Sequence, residues 1–241
     1  MTTINTWTTV GELVADRPSR SRVFQKLGID FCCGGKRPLE DVCREKNLDA
    51  QMILDVMLAN EQDSNSDTVI NPSSLSLTDL CNHIEQTHHA YLREELPRLG
   101  QMAYRVANAH GQNHTWTIAL NNTFVNFAEE LFSHMQKEEQ ILFPVIRRLE
   151  AGDANANAFG HCAGSVSNPI AVMEAEHDNA GKALEQFRSL SSDFTAPEGA
   201  CNTFRALLDG LGELEADMHQ HVHKENNILF PKAVALENSS N

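Results

Sequence analysis

The chain has 241 residues, with 19 Lys and Arg against 33 Asp and Glu, so its formal charge is −14. This acidity excludes a nucleic-acid binder, which needs a basic face to meet phosphates. No apolar run approaches the roughly 18 residues of a membrane span, so we expect no membrane partner. Only 13 glycines and 8 prolines interrupt the chain. That favours long helices over many short strands, and we predict an all-α protein.

The first residues lack the basic and apolar regions of a secretory signal, so we expect a cytoplasmic protein. In that reducing compartment, six cysteines indicate metal-binding, redox or inert thiols rather than a disulfide framework.

The N-terminal quarter differs from the rest of the chain. Residues 1–62 carry four short stretches with apolar residues at helical spacing, which predict a small helical module. The polar stretch 63–75 has no such stripe and contains an Asn-Pro pair, so we predict a linker there.

Residues 76–236 are predicted to form an antiparallel four-helix bundle. Long stretches of helical periodicity are separated by polar or glycine-containing breaks, and each is long enough to cross a domain. The predicted bundle helices cover 76–109, 115–149, 166–190 and 202–236.

A repeat links the second and fourth of these helices. HMQKEEQILFP begins at His134, and HVHKENNILFP begins at His221, 87 residues later. Both copies contain His-x3-Glu-x2-Ile-Leu-Phe-Pro, and the apolar positions before each histidine also match. An internal duplication explains so many matches of position. It gives Glu138 and Glu225 equivalent places, each one helical turn after a histidine.

The duplication predicts that the first and third helices also correspond. The third helix has one histidine, His177, on its apolar face. The equivalent position in the first helix falls on Ala90 or His89, and His89 is followed by apolar residues at the same spacings. His88 lies at the other flank of that apolar stripe. The residues alone therefore leave a choice between His88 and His89.

Four antiparallel helices would bring four histidines and two glutamates into one core. These groups are costly to bury without a partner. A cation offsets that cost, because metal sites in bundles use inward-facing residues of opposed helices. Two glutamates from facing helices can each bridge two metal ions, and such a ligand set suits a pair of iron ions, although imidazole also accepts zinc or copper. One His-x3-Glu pair is common on exposed helix surfaces, but two copies in matching apolar registers favour a metal site.

Other polar residues have smaller expected roles. Glu130 and Asp217 each precede a repeat histidine by one turn, and are either acceptors for its ring N–H or ordinary surface acids. Pro144 and Pro231 are expected to kink or end the helices just after the cluster. The remaining histidines are expected to be solvated: His110, His114, His161, His219 and His223. The single cysteines are expected to be structural or incidental: Cys43, Cys81, Cys162 and Cys201.

Two parts of the chain resemble known domains. EEQILFP, MEAEHD and HVHKENNILFP, within 75–236, resemble the hemerythrin-like (HHE cation-binding) domain, and IDFCCGGKRPLEDVC resembles the ScdA_N module. In this order they resemble the repair of iron centres family over nearly the whole chain. The resemblance implies a bundle that holds two non-heme iron ions, bridged by carboxylates and an oxo group, and a role in restoring damaged iron–sulfur clusters. The family's metal ligands fall on His89, His134, Glu138, His177, His221 and Glu225.

Cys32 and Cys33 are followed by two glycines and then by Lys36 and Arg37. The glycines would let backbone amides turn toward a thiolate, and the two cations would lower its pKa. Adjacent cysteines are poorly placed for an unstrained disulfide. A packed structural pair is the alternative, but the pair is the hallmark of the module it resembles. We therefore predict a role in thiol chemistry or iron transfer.

The main hypothesis is a di-iron protein that repairs iron–sulfur clusters after nitrosative or oxidative stress, by supplying iron to the damaged protein. One alternative is an enzyme whose di-iron site reduces nitric oxide or a peroxide, with the cysteine pair as a redox relay. Another is a sensor of iron or of a diatomic gas such as nitric oxide or oxygen. Whether the chain is an enzyme stays open at this stage, and a homodimer is compatible with the sequence.

Overall fold

The computed structural model describes residues 4–62, 71–153 and 165–240. These ranges are helical apart from turns and one isolated bridge between Thr9 and Pro38, which confirms the predicted all-α class. Within them, no helix is long and apolar enough to cross a membrane. His161 and Cys162 lie outside the described residues.

Four short helices form the N-terminal module. Thr9 begins the first of them through a capping box, in which its hydroxyl accepts the N–H of Glu12 and the Glu12 carboxylate accepts the N–H of Thr9. Phe24 and Phe31 are fully buried in the core of the module. The helices are α1 (Val10–Asp16), α2 (Ser21–Lys26), α3 (Leu39–Glu45) and α4 (Ala50–Gln62).

The remaining helices form the bundle. Helix α6 (Ala90–His110) packs on α7 (Trp116–Lys137) and α10 (Asn202–Lys224), and α7 also packs on α9 (Ser167–Leu190). The first bundle helix runs from 77 to 110, the second from 116 to 150, the third from 167 to 190 and the fourth from 202 to 240, each within one residue of the prediction except at the last end. Their segments are α5 (Leu77–Ile84), α6 (Ala90–His110), α7 (Trp116–Lys137), α8 (Phe143–Glu150), α9 (Ser167–Leu190), α10 (Asn202–Lys224) and α11 (Phe230–Ser240).

Three of the bundle helices contain a single π-turn, and these turns join α5 to α6, α7 to α8 and α10 to α11. They cover Glu85–His89, Glu138–Leu142 and Glu225–Leu229. Pro144 and Pro231 were predicted to kink or end the helices; the chain stays helical past both prolines, so they do not end them. Each proline is the second residue of the α-segment that follows a π-turn. π-turns of this kind are concentrated at functional sites.

Two apolar clusters fill the bundle, one at each end. One includes Leu96, Phe124 and Phe187, and the other includes Ile84 and Phe143. Along each bundle helix, most members of one cluster precede the predicted His and Glu residues and the members of the other lie on the opposite side of them. Apolar side chains therefore enclose the polar cluster on both sides.

The module packs directly on the bundle. The carbonyl of Phe31 accepts hydrogen bonds from His223 at 3.2 Å and from Asn227 at 3.3 Å. Lys36 forms an ion pair with Glu174 at 2.7 Å. The division at residue 62 and the linker at 63–75 stay predictions.

Candidate metal centre

The six predicted residues meet in the middle of the bundle. Their exposed fractions are 3% or less. They form two groups, and within each group one donor atom per residue lies within 4.8 Å of the others. Both groups include Glu138 and Glu225. The first group adds His89 and His221, and the second adds His134 and His177.

Each glutamate contacts one histidine of each group. Glu138 Oε2 lies 3.3 Å from His89 Nε2 and 3.4 Å from His134 Nε2. Glu225 Oε1 lies 3.0 Å from His221 Nε2, and its Oε2 lies 3.1 Å from His177 Nε2. This is the arrangement expected of two carboxylates that bridge two cations.

The donor atoms fit metal ions better than they fit one another. Both oxygens of Glu138 and Oε2 of Glu225 are buried and form no hydrogen bond within the described residues. Orphaned buried carboxylate oxygens are costly, and a cation would satisfy them. Nitrogen and oxygen donors of this kind suit iron or another first-row transition metal. The six residues therefore fit a pair of such cations, although their role as ligands stays a prediction.

The π-turns begin at or end on three of these six residues. The carbonyl of Glu138 accepts the N–H of Phe143, and the carbonyl of Glu225 accepts that of Phe230, each five residues further on. His89 is the last residue of the third π-turn. The wider turns thus set the angular positions of both glutamates and of one histidine around their helices.

Polar residues hold three of the imidazoles with Nε2 toward the cluster. His89 Nδ1 donates to Glu139 at 2.7 Å, and His177 Nδ1 donates to Asn226 at 2.8 Å. His134 Nδ1 donates to Glu176 at 2.9 Å. Such partners fix the ring orientation and the tautomer of a metal-binding histidine.

The acceptors differ from those proposed from the sequence. Asp217 accepts from His88 at 2.7 Å, not from His221. Glu130 is exposed beside the cluster. Two of the residues that do accept, Glu139 and Asn226, hold the same position in the two repeats, directly after Glu138 and Glu225. The duplication was the signal that could have found them.

Two histidines that are not among the six predicted metal-binding residues are less exposed than expected. His88 and His223 are each only 3% exposed. The His88 ring stacks on His221 at 5.2 Å, and its Nε2 lies 2.6 Å from Lys224 Nζ. His88 belongs to neither donor group, so the structure places His89, not His88, in the cluster.

The cluster is held by opposite charges. Burial lowers the pKa of His134, but the carboxylates of Glu138 and Glu176 outweigh that effect and raise it to about 10. Burial likewise raises the pKa of Glu225, yet His221 and His177 hold it well below its usual range. The carboxylates therefore stay ionised, as ligands must be.

A cavity of about 410 Å³ opens beside the second donor group. Its lining includes His134, His177, Lys137 and Glu176. Glu176 accepts hydrogen bonds from His134 and from Lys137, and these contacts lower the pKa of Glu176 to about 2. The second group therefore borders a cavity that reaches the surface.

The cysteine pair lies next to that same group. Cys33 Sγ is 3.8 Å from the carbonyl oxygen of His177. The expected lowering of the pKa by the neighbouring cations is wrong at Cys32; Lys36 pairs with Glu174 and Arg37 pairs with Glu45 instead. The hydrogen bond with Cys33, burial and the nearby Asp30 instead raise the pKa of Cys32 well above its usual value.

Glu139 and Asn226, which follow Glu138 and Glu225 in the chain, give a testable prediction. Asn226→Ala and Glu139→Ala are each expected to weaken metal binding roughly 10- to 100-fold, because the freed imidazole loses its fixed orientation. Gln140→Ala is the matched control, since Gln140 is the next residue and is exposed. Competition with a chelator measures the apparent Kd. Equal values for all three variants would show that these contacts do not orient the histidines.

Comparison with known proteins gives the family. Residues 6–61 match the ScdA_N model, a domain of unknown function, and residues 82–233 match the hemerythrin HHE cation binding domain. The iron-sulfur cluster repair protein YtfE of Yersinia pseudotuberculosis serotype IB is 40% identical over 230 residues, which are 95% of this chain and 97% of that protein. The protein of the same name from Yersinia pestis (strain Pestoides F) is 39% identical over the same share of both chains. The chain therefore belongs to the YtfE family, which has an ScdA_N domain followed by a hemerythrin HHE cation-binding domain.

Proposed function

We propose that the chain is a di-iron protein that repairs damaged iron–sulfur clusters by supplying iron. The observation that carries this proposal is the pair of donor groups that share Glu138 and Glu225. The relatives are named for cluster repair. The proposed partners are iron–sulfur proteins damaged by nitrosative or oxidative stress, and the proposed setting is the cytoplasm, where free thiols stay reduced.

The two groups are unequal, and the difference supports iron release from one of them. Each group has one histidine that donates to a carboxylate, His89 to Glu139 in the first and His134 to Glu176 in the second. The groups differ instead in their surroundings, because the lining of the cavity includes both histidines of the second group, His134 and His177. Because the second group borders the cavity and lies beside Cys33, we infer that it is the one that gives up iron.

Cys32 and Cys33 are proposed to receive or guide that iron. The carbonyl that Cys33 contacts belongs to His177, which is a member of the releasing group. Thiolates are strong ligands for iron, so the pair can compete for a cation that leaves imidazole and carboxylate ligands.

The test uses an enzyme whose iron–sulfur cluster has been damaged by nitric oxide. Iron-loaded protein is expected to restore its activity faster than an equal amount of free Fe²⁺ in the presence of a chelator, and Cys32→Ser with Cys33→Ser to slow that recovery. Cys201→Ser is the control, because Cys201 is exposed and lies outside both donor groups. Equal recovery from free iron would reject iron supply by the protein.

The cavity beside His134 and His177 supports reduction of a small molecule as a second candidate function. A volume of about 410 Å³ accommodates nitric oxide or a peroxide next to the second group. Consumption of nitric oxide over many turnovers, with a reductant present, would favour this activity. A single stoichiometric uptake would favour repair or gas sensing instead.

A further inference from the structure

The N-terminal module carries a second group of metal-binding side chains, separate from the six residues of the bundle. Asp30, Cys32 and Cys33 each offer a donor atom, and these atoms lie within 4.8 Å of one another. The two sulfurs are 4.0 Å apart, and Cys32 Sγ is 3.1 Å from Asp30 Oδ1.

These distances suit one cation. A tetrahedral ion with metal–sulfur bonds of about 2.3 Å holds two sulfurs about 3.8 Å apart. The pair Cys32 and Cys33 would have to move by only a few tenths of an ångström. A carboxylate oxygen bound at about 2.0–2.2 Å would complete a set of three ligands.

The backbone holds the carboxylate in place. Asp30 Oδ1 accepts the N–H groups of Cys32 at 2.9 Å and Cys33 at 3.0 Å, and Oδ2 accepts that of Gly34 at 2.7 Å. The Cys32 thiol also donates to Oδ1. A cation would take the place of that thiol proton between sulfur and carboxylate, without rebuilding the loop.

The charges around the group favour a cation. The basic residues that follow the cysteines are paired elsewhere, Lys36 with Glu174 and Arg37 with Glu45. All three donor residues line a groove of about 1000 Å³ between the module and helices α9 and α10. A cation bound to them would be open to that groove, and three protein ligands with an open position are typical of sites where the metal takes part in chemistry or exchange.

We propose that Asp30, Cys32 and Cys33 bind one thiophilic transition-metal cation, such as Zn²⁺ or Fe²⁺. Both thiols lose their protons to solvent on binding, and no electron is transferred. Two sulfur ligands exclude Mg²⁺ and Ca²⁺, which prefer oxygen. The site requires no particular metal in the bundle, and it deepens the proposed role of Cys32 and Cys33 in receiving iron.

Cd²⁺ is a suitable probe, because its bonds to thiolates give an ultraviolet charge-transfer band. The six residues of the bundle group provide only nitrogen and oxygen, so they add nothing to this band. We expect the reduced, iron-loaded full chain to bind one Cd²⁺ with the band intensity of two thiolates, and excess Mg²⁺ to leave the band unchanged. Saturation without a band, or a band that does not saturate at one Cd²⁺ per chain, would overturn the proposal.

Variants identify the ligands. Cys32→Ser and Cys33→Ser should each remove at least half of the band, and Asp30→Asn should weaken Cd²⁺ binding roughly 10- to 100-fold. Glu185→Gln is the matched control, because Glu185 lines the same groove but is outside the donor group. Retained iron and an unchanged helical circular dichroism signal show that each variant is folded. A band that survives in the double serine variant would assign it to other cysteines and reject the site.

Discussion

Replacing Glu138 by Ala is expected to lower the bound iron from about two ions per chain to less than about one. Glu138 belongs to both donor groups and contacts a histidine in each. Its removal takes one ligand and one negative charge from both cations at once. Elemental analysis of the purified variant measures the loss, and Glu225→Ala should behave in the same way because the repeat gives it the equivalent position.

The fold should survive this change. The two apolar clusters on either side of the site do not include Glu138. His134 keeps its hydrogen bond to Glu176 at 2.9 Å when the Glu138 carboxylate is removed, so its ring is not left without a partner. Glu129→Ala, an exposed substitution on the same helix, is the control and should keep its iron. Two irons bound to Glu138→Ala, or zinc in the unmodified protein, would contradict a di-iron site bridged by this residue.

The sequence predicted the bundle well because the relevant signals are local. Helical spacing of apolar residues gives the helices, and the i, i+4 spacing places His134 and Glu138 on one face. The duplication then made His221 equivalent to His134, and matched His177 with a histidine of the first helix. These are properties of single helices, so they need no knowledge of how distant parts of the chain meet.

The contacts that join distant segments could not be found in this way. Glu139 accepts from a histidine 50 residues earlier, and Asn226 accepts from one 49 residues earlier. The cysteine loop was misjudged for the same reason. Its cations looked free in the sequence, but Lys36 meets Glu174, 138 residues away. The π-turns were also missed, because an apolar pattern does not distinguish a π-turn from an α-turn over five residues.

Gly11→Ala is expected to destabilise the contact between module and bundle, although Gly→Ala within a helix ordinarily stabilises by about 0.5–1 kcal/mol. A Cβ atom at Gly11 would lie 2.3 Å from Asn227 Oδ1 and 2.8 Å from the carbonyl oxygen of Gly35. Overpacking of this kind costs about 1–3 kcal/mol. Displaced Asn227 would also lose its bonds to the carbonyls of Phe31 and Cys32, at about 1 kcal/mol each.

Loosening this contact should expose the cysteine pair. A net cost near 2.7 kcal/mol corresponds to roughly a 100-fold larger population of molecules in which the contact between module and bundle is open. The rate of Cys33 alkylation measures that population. Gly212→Ala is the control, because its added Cβ would make only an ordinary 3.6 Å contact with Phe194. Asn227→Ala should raise the alkylation rate less, roughly 30-fold for the loss of two hydrogen bonds. Gln140→Ala, at the equivalent position of the first repeat, should not raise it. If Gly11→Ala and Gly212→Ala alkylate at the same rate, Asn227 does not hold the cysteine loop against the bundle. If the two rates differ as expected, Asn227 and Gln140 have different roles although they hold equivalent positions in the two repeats. Asn227, in the second copy, then holds the module beside the candidate metal-binding residues.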